Sequence, residues 1–254
     1  MKSSKRLKSV HLWLMKIKMK PQIKIMNHEQ TQFLYERLRI VKKLVLSSFN
    51  LAFINYLILI VLIAIFISCG ENYTSEQKEY IASIEKQRQE KDDYMKADLN
   101  SPFNFKGKVE FHPLKYFDVN PNFVFKSKLF EYPVKDTISI FGTKGEERKV
   151  VRYGFVSFNY QKKSYRLNVY KGSSKSGDEY FSIWFTDKTT NEESYGVGRY
   201  LDFKLYAEKD FIYTIDFNIA YNPYCAYSPD YTCAIPTKED YVDLEIETGE
   251  KKYH

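Results

Sequence analysis

Apolar and polar positions divide the chain into three regimes. From Leu44 to Ser68 no charged residue occurs over 25 positions, and the densest part, Tyr56–Ile67, is a 12-residue apolar run. The full stretch is long enough to cross a bilayer, while its centre has the length of an export-signal core. Beyond it, Tyr80, Ile81, Ile84, Arg88, Lys91, Tyr94 and Met95 recur at helical spacing. Thr74 followed by Gln77 is a capping-box pattern, and Asn100-Ser101-Pro102 is a stop. The spacing predicts a helix over 75–99 whose narrow apolar stripe rests on a sheet.

After Phe103 the pattern changes to short runs rich in Val, Ile, Tyr and Phe, separated by polar turns, which is the signature of strands. Nine runs stand out: KVEF, NFVFKSKLF, DTISIFG, RKVVRYGFVSFNY, SYRLNVYK, YFSIWFTD, RYLDFKLYA, FIYTIDFN and YVDLEIE. NYQKKSY and AEKDF read as hairpin turns, and KGSSKSGDE as a longer loop. No helical period separates the strands, so parallel βαβ units are excluded. The expected fold is mainly β: an antiparallel β-sandwich or partly open barrel of about nine strands with one N-terminal helix.

Composition changes this picture in two ways. The net charge of +7 is unevenly placed: residues 1–43 hold 12 Lys/Arg against Glu29 and Glu36, leaving 27 basic and 30 acidic residues in 44–254. Basic residues therefore precede the apolar run, where membrane insertion needs them, and the folded part carries no basic excess. Nucleic acid is excluded as a partner. The 22 tyrosines suit strands that bury rings while keeping hydroxyls wet; a carbohydrate-stacking surface is the second reading of the same residues.

The apolar run ends in Phe66-Ile67-Ser68-Cys69-Gly70. This resembles the lipobox of bacterial lipoproteins, an aliphatic, a variable and a small residue before cysteine, with Phe66 in place of the commoner leucine. The resemblance implies cleavage after Ser68 and acyl chains on Cys69, two or three of which anchor a protein stably to a membrane. An uncleaved anchor is the alternative. Gly70, not aspartate, favours the outer membrane of a bacterial envelope. The implied organisation is a basic leader and signal at 1–68, with Met26 an alternative start and 1–25 then extraneous. A tether at 69–74 and one domain at 75–254 follow, the domain comprising the helix and a β part over 103–254.

Chemistry concentrates between Phe185 and Pro236. Gly196 and Gly198 in YGVGRY allow positive φ or a close backbone approach, and Arg199 offers a planar fork for a carboxylate or phosphate. The competing reading is a glycine bulge with Arg199 paired to Asp202 or Asp216. Asp216 and Asn218 alternate with Phe217 and so share a strand face, where they line a pocket or satisfy the turn begun at Asn222-Pro223. Tyr200 and Tyr221 would form an apolar wall. Asp187, with Glu192 and Glu193 nearby, and Asp216 are the candidate bases of a hydrolase, although their spacing defines no carboxylate pair.

Cys225 and Cys233, the pair left after Cys69, read first as a disulfide, which would contribute about 2.5 kcal/mol for so short a loop. Half of a zinc site and a Cys–His nucleophile with distant His112 are weaker readings, and no metal or cofactor is expected.

The segments RQEKDDYM, LKYF, FTD, YGVGRYLD, DFNIAYNPYCAY, TCAIP and TGEK together resemble domain of unknown function 1684, over roughly Tyr80–Lys251. The resemblance implies a domain boundary and no activity. The chain departs from that pattern at Ile219, where a basic residue is usual, at Ala234 for proline and at Asp240 for asparagine. Three functions remain open: a binding module for a small polar ligand or an envelope component, a hydrolase, and a structural lipoprotein without a pocket.

Overall fold

The computed structural model describes residues 32–33, 35–42, 73–105, 109–174 and 177–254. Residues 35–42 are helical and belong to a unit of their own, Met1–Asn72, while Tyr73–His254 forms the second unit. Among the described residues no helix is long and apolar enough to cross a membrane. The run 44–68 and Cys69 lie outside the described residues.

Helix α1 spans Ser75–Ala97 and begins with the capping box expected of Thr74 and Gln77. The hydroxyl of Thr74 accepts from the Gln77 N–H at 3.2 Å and the Gln77 side chain accepts from the Thr74 N–H at 3.0 Å. Two of the four donors that every helix start leaves open are thereby satisfied. Its buried residues, Ile84, Arg88 and Met95, lie on the predicted stripe.

The β part has nine strands among the described residues: β1 Val124–Lys128, β2 Phe130–Glu131, β3 Thr137–Phe141, β4 Glu147–Tyr160, β5 Lys163–Ser173, β6 Glu179–Asp187, β7 Arg199–Phe203, β8 Ile212–Asp216 and β9 Tyr241–Val242. Strands β4, β5, β6 and β7 pair antiparallel in sequence order, β2 and β3 both lie along β4, and β9 joins β6 in parallel. A separate antiparallel ribbon is made of β1 and β8. No barrel closes.

Side-chain parity assigns the two faces of the large sheet. Leu167, Val169, Ile183, Phe185, Leu201 and Phe203 share one face and pack against Phe123, Tyr213, Ile215 and Phe217 around the ribbon, forming the main core. Tyr170 and Trp184 occupy the other face with Ile140, Val150 and Ala234. Strand β4 serves both faces because its register with β5 shifts between Arg152 and Gly154. The inserted residue turns Val150 to the second face and Val156 to the core despite their even spacing.

Three elements differ from the sequence pattern. KVEF forms no strand where it is described, at 109–111; there the chain is held by Tyr253, whose hydroxyl accepts from the His112 N–H at 2.7 Å and donates to Glu110 O at 3.2 Å. YVDLEIE shortens to the two residues of β9, because Ile246 turns into the core while the Thr248 and Glu250 carbonyls meet Arg199. AEKDF is not a hairpin turn: β8 pairs with β1, so this segment carries the chain between sheets. NYQKKSY is one, with Gln161 and Lys162 both at positive φ (47° and 66°), as a two-residue hairpin turn requires.

Candidate functional site

Arg199 is not available to a ligand. It shares the core face with Leu201 and Phe203 and is 1% exposed. Its Nη2 donates to Asp187 Oδ2 at 2.6 Å and to Ile246 O at 2.8 Å, and its Nη1 donates to Thr248 O. The guanidinium lies between the rings of Phe185 and Phe117, 5.3 and 5.7 Å from their centroids. Burial lowers its pKa, opposed by Asp187. Asp187 in turn accepts from the N–H and hydroxyl of Thr189 at 2.9 and 2.6 Å. This closed arrangement binds the C-terminal segment to the sheet. It also removes Asp187 as a general base, since its carboxylate has no accessible edge.

Asp216 and Asn218 do not share a strand face. Strand β8 ends at Asp216, and residues 217–219 form a single 3₁₀ turn that Asp216 caps by accepting from the Asn218 N–H at 2.9 Å. The other carboxylate oxygen of Asp216 accepts from the Tyr80 hydroxyl at 2.7 Å, joining helix α1 to the ribbon. Burial, followed by this contact, raises the Tyr80 pKa, so the phenol stays protonated. The Asn218 amide brackets Asn120, accepting from its N–H at 2.7 Å and donating to its carbonyl at 2.9 Å. Asn222 donates through its side chain to Lys251 O at 2.7 Å. All three are clasps between segments, and the two oxygens of half-buried Asp216 are engaged by the Asn218 N–H and the Tyr80 hydroxyl.

The glycines answer to backbone geometry. Gly198 has φ +101°, and a Cβ there would fall 2.5 Å from Phe185 O. The tight turn into β7 accounts for it without a ligand. A Cβ at Gly196 would meet Asn191 Oδ1 at 2.8 Å.

Tyr200 and Tyr221 do lie on a concave surface. Their backbones pair in a two-bond bridge, 2.9 and 3.0 Å, that extends the sheet beyond β7. Both line a cleft of about 750 Å³ on the second face of the sheet. Its floor is Tyr200 and Tyr221, resting on the buried Trp184 and Ser182; one wall is Tyr94 and Met95 of helix α1, and the other is the segment Tyr231–Ala234. Tyr170 stacks under Trp184 with centroids 4.7 Å apart and planes 9° from parallel, which fixes the indole. Tyr200 is held by its hydroxyl donating to Ala234 O. The floor is therefore preformed.

The cleft cations are already paired. Arg148 donates to Glu146 at 2.5 Å and to Thr232 O at 2.9 Å. Lys91 donates to Glu250 Oε1. Asp202, exposed at the rim, accepts from the Tyr221 hydroxyl at 2.6 Å and keeps a second oxygen for a donor. Burial raises the pKa of Tyr200 and Tyr221, so both are neutral hydroxyls. An aromatic concavity with hydroxyls and one rim carboxylate can hold a ring by its face while exchanging hydrogen bonds with its edge.

Sequence reasoning missed Trp184, Tyr180, Arg148 and Glu250. Trp184 was recoverable by parity, because it alternates with Ile183 and Phe185 and so faces away from the core. Glu250 carried no local signal: it is 1% exposed and accepts from the Asn222 N–H at 2.8 Å, the Tyr227 hydroxyl and Lys91. Of the departures from the family pattern, Ile219 and Ala234 line the cleft. Asp240 lies beneath it, accepting from Asn168 and Tyr170, each at 2.8 Å.

Cys225 and Cys233 are both thiols in this structure, not the disulfide expected from their number. They are neighbours: the Cys225 N–H donates to Cys233 Sγ at 3.2 Å. The hydrogen bond from the Cys233 thiol lowers the Cys225 pKa, and the same contact with burial raises that of Cys233.

Comparison with known proteins locates this fold. A family described as "Protein of unknown function (DUF1684)" matches residues 109–251, which include all nine strands. The solution structure of an uncharacterised protein of Haloarcula marismortui is similar, with 25% identity and a TM-score of 0.51, covering 69% of this chain and 96% of its own. No curated protein matches.

Proposed function

The chain belongs to the DUF1684 family, and from that premise we propose that it is a lipid-anchored binding module of a bacterial envelope. Membership supplies the fold and no reaction, so the function is argued from the cleft. The ligand is a small, neutral, polar molecule with a flat ring face, of which a one- or two-ring saccharide is the chemical type. The carrying observation is the half-buried pair Tyr200 and Tyr221, supported from beneath by the buried Trp184–Tyr170 stack and bordered by Asp202. Aromatic faces take the C–H side of a sugar ring, while hydroxyls and a rim carboxylate take its edge. Pairing of Lys91 with Glu250 and of Arg148 with Glu146 argues against an anionic ligand.

The anchor is the second half of the proposal. A basic leader, an apolar core and Ser68-Cys69 support acylation of Cys69, which would hold the cleft close to envelope glycans. Saturation-transfer NMR on the full chain with a panel of neutral mono- and disaccharides tests the cleft. Saturation should reach the ring protons of a bound sugar and disappear in Tyr221→Ala. Transfer that persists in Tyr221→Ala, or none from any sugar, rejects the saccharide reading.

A further inference from the structure

We propose that Cys225 and Cys233 form a thiol–disulfide exchange site, with Cys225 the attacking and Cys233 the resolving thiol, acting on low-molecular-weight disulfides. The inference stands on these two side chains and not on what the cleft binds, although Cys233 lies in the cleft wall.

Three observations carry it. The two residues are neighbours, with the Cys225 N–H directed at Cys233 Sγ at 3.2 Å. Their surroundings are unequal. Cys225 sits half-buried on the 3₁₀ turn Tyr224–Ala226, whereas Cys233 is buried and pinned to the β3–β4 turn. There its N–H donates to the Thr143 hydroxyl at 3.2 Å, and the Thr143 N–H donates to its carbonyl at 3.0 Å. Finally, Cys225 has a donor placed for a thiolate: the Tyr195 hydroxyl lies 3.4 Å from its carbonyl and 3.7 Å from its sulfur, and the neighbouring Cys233 lowers its pKa to about 7. An accessible, stabilised thiolate beside a buried protonated thiol is the division of labour that exchange requires. A structural disulfide calls for neither the inequality nor the donor.

The step balances. The Cys225 thiolate attacks one sulfur of R–S–S–R; that bond breaks, RS⁻ leaves, and Cys225 becomes a mixed disulfide. Cys233 then loses its proton to solvent and attacks the Cys225 sulfur, expelling the second RS⁻. The protein dithiol is oxidised by two electrons and the small disulfide is reduced to two thiols.

The test uses the full chain, reduced and then freed of reductant, with oxidised glutathione as probe and peptide mass mapping to separate these cysteines from Cys69. In the wild type the first adduct trapped by acid quench should be on Cys225, followed by an internal Cys225–Cys233 bond that reduced glutathione reopens. Cys233→Ser should stop at the mixed disulfide on Cys225, and Cys225→Ser should give no adduct at Cys233 on that timescale. Capture at pH 7 should be at least about tenfold faster than in the urea-unfolded chain. A first adduct on Cys233, a native rate no faster than the unfolded one, or an internal bond that glutathione cannot reopen would each overturn the proposal. The wild-type adduct map decides even if a serine variant misfolds.

Discussion

Arg199 and Asp187 meet at 2.6 Å with side chains 1% and 0% exposed, and the carbonyls of Ile246 and Thr248 and the Thr189 hydroxyl complete their hydrogen bonds. A pair so placed is sensitive to loss of one member, because the survivor becomes an uncompensated buried charge. Arg199→Ala should lower the unfolding free energy by about 3–5 kcal/mol in urea titrations. The double variant Arg199→Met/Asp187→Leu should recover most of that loss. A single variant within 1 kcal/mol of wild type would return Arg199 to the list of accessible groups.

Glu250 couples helix α1 to the C-terminal segment through Lys91, Tyr227 and the Asn222 N–H. Glu250→Gln keeps the shape but removes the charge, and should cost about 1–3 kcal/mol. Hydrogen exchange should accelerate along 84–97 more than in strands β4–β6. Uniform acceleration would mean that Glu250 supports the core as a whole.

Gly249, directly after the Arg199 anchor at Ile246–Thr248, has φ +79°, and a Cβ there would lie 2.7 Å from both Ala220 O and Phe217 O. Gly249→Ala should destabilise by about 2 kcal/mol or more, because strain and overlap add. Gly145, at φ +82° with nothing near its absent Cβ, supplies the control; Gly145→Ala should cost about half as much in the same melts.

The Glu146 carboxyl gives a pH-dependent contact. The Thr232 hydroxyl hydrogen bond, with Arg148 assisting, holds its pKa down to about 2 from the ordinary 4.5. A depressed carboxylate stabilises fully above its unfolded pKa, and the contribution is lost as pH falls through the folded value. The tie between the β3–β4 turn and the cleft wall should therefore weaken as pH drops from about 4.5 to about 2. Trp184 emission, followed in a Trp13→Phe background, should change over that window. Glu146→Gln should abolish the change; an identical profile in the variant would assign it elsewhere.

Much of the fold was legible because it rests on local rules. The capping box at Thr74 and Gln77 set the start of helix α1, and alternation set the strands of the large sheet. Parity was equally available for the site, since Arg199, Leu201 and Phe203 share a face while Tyr200 and Asp202 share the other. A charged residue among core positions reads more naturally as a buried ion pair than as a ligand contact. The cleft was less legible. Its walls come from helix α1 and from Tyr231–Ala234, far apart along the chain, and no periodicity announces that either overhangs Trp184. Glu250 belongs to the same class, its partners being 23 to 159 positions away. KVEF failed for a related reason: alternation marks an extended chain, but a neighbouring strand must exist to pair with it.

The account rests on the aromatic floor being a saccharide site and on Arg199 being part of the scaffold. Isothermal titration of the full chain with the best sugar from the NMR panel tests both. The prediction is saturable binding in the wild type, loss of it in Tyr200→Ala and Tyr221→Ala, and an unchanged dissociation constant in Arg199→Met/Asp187→Leu. Binding that survives both aromatic substitutions and vanishes in the double variant would contradict the account.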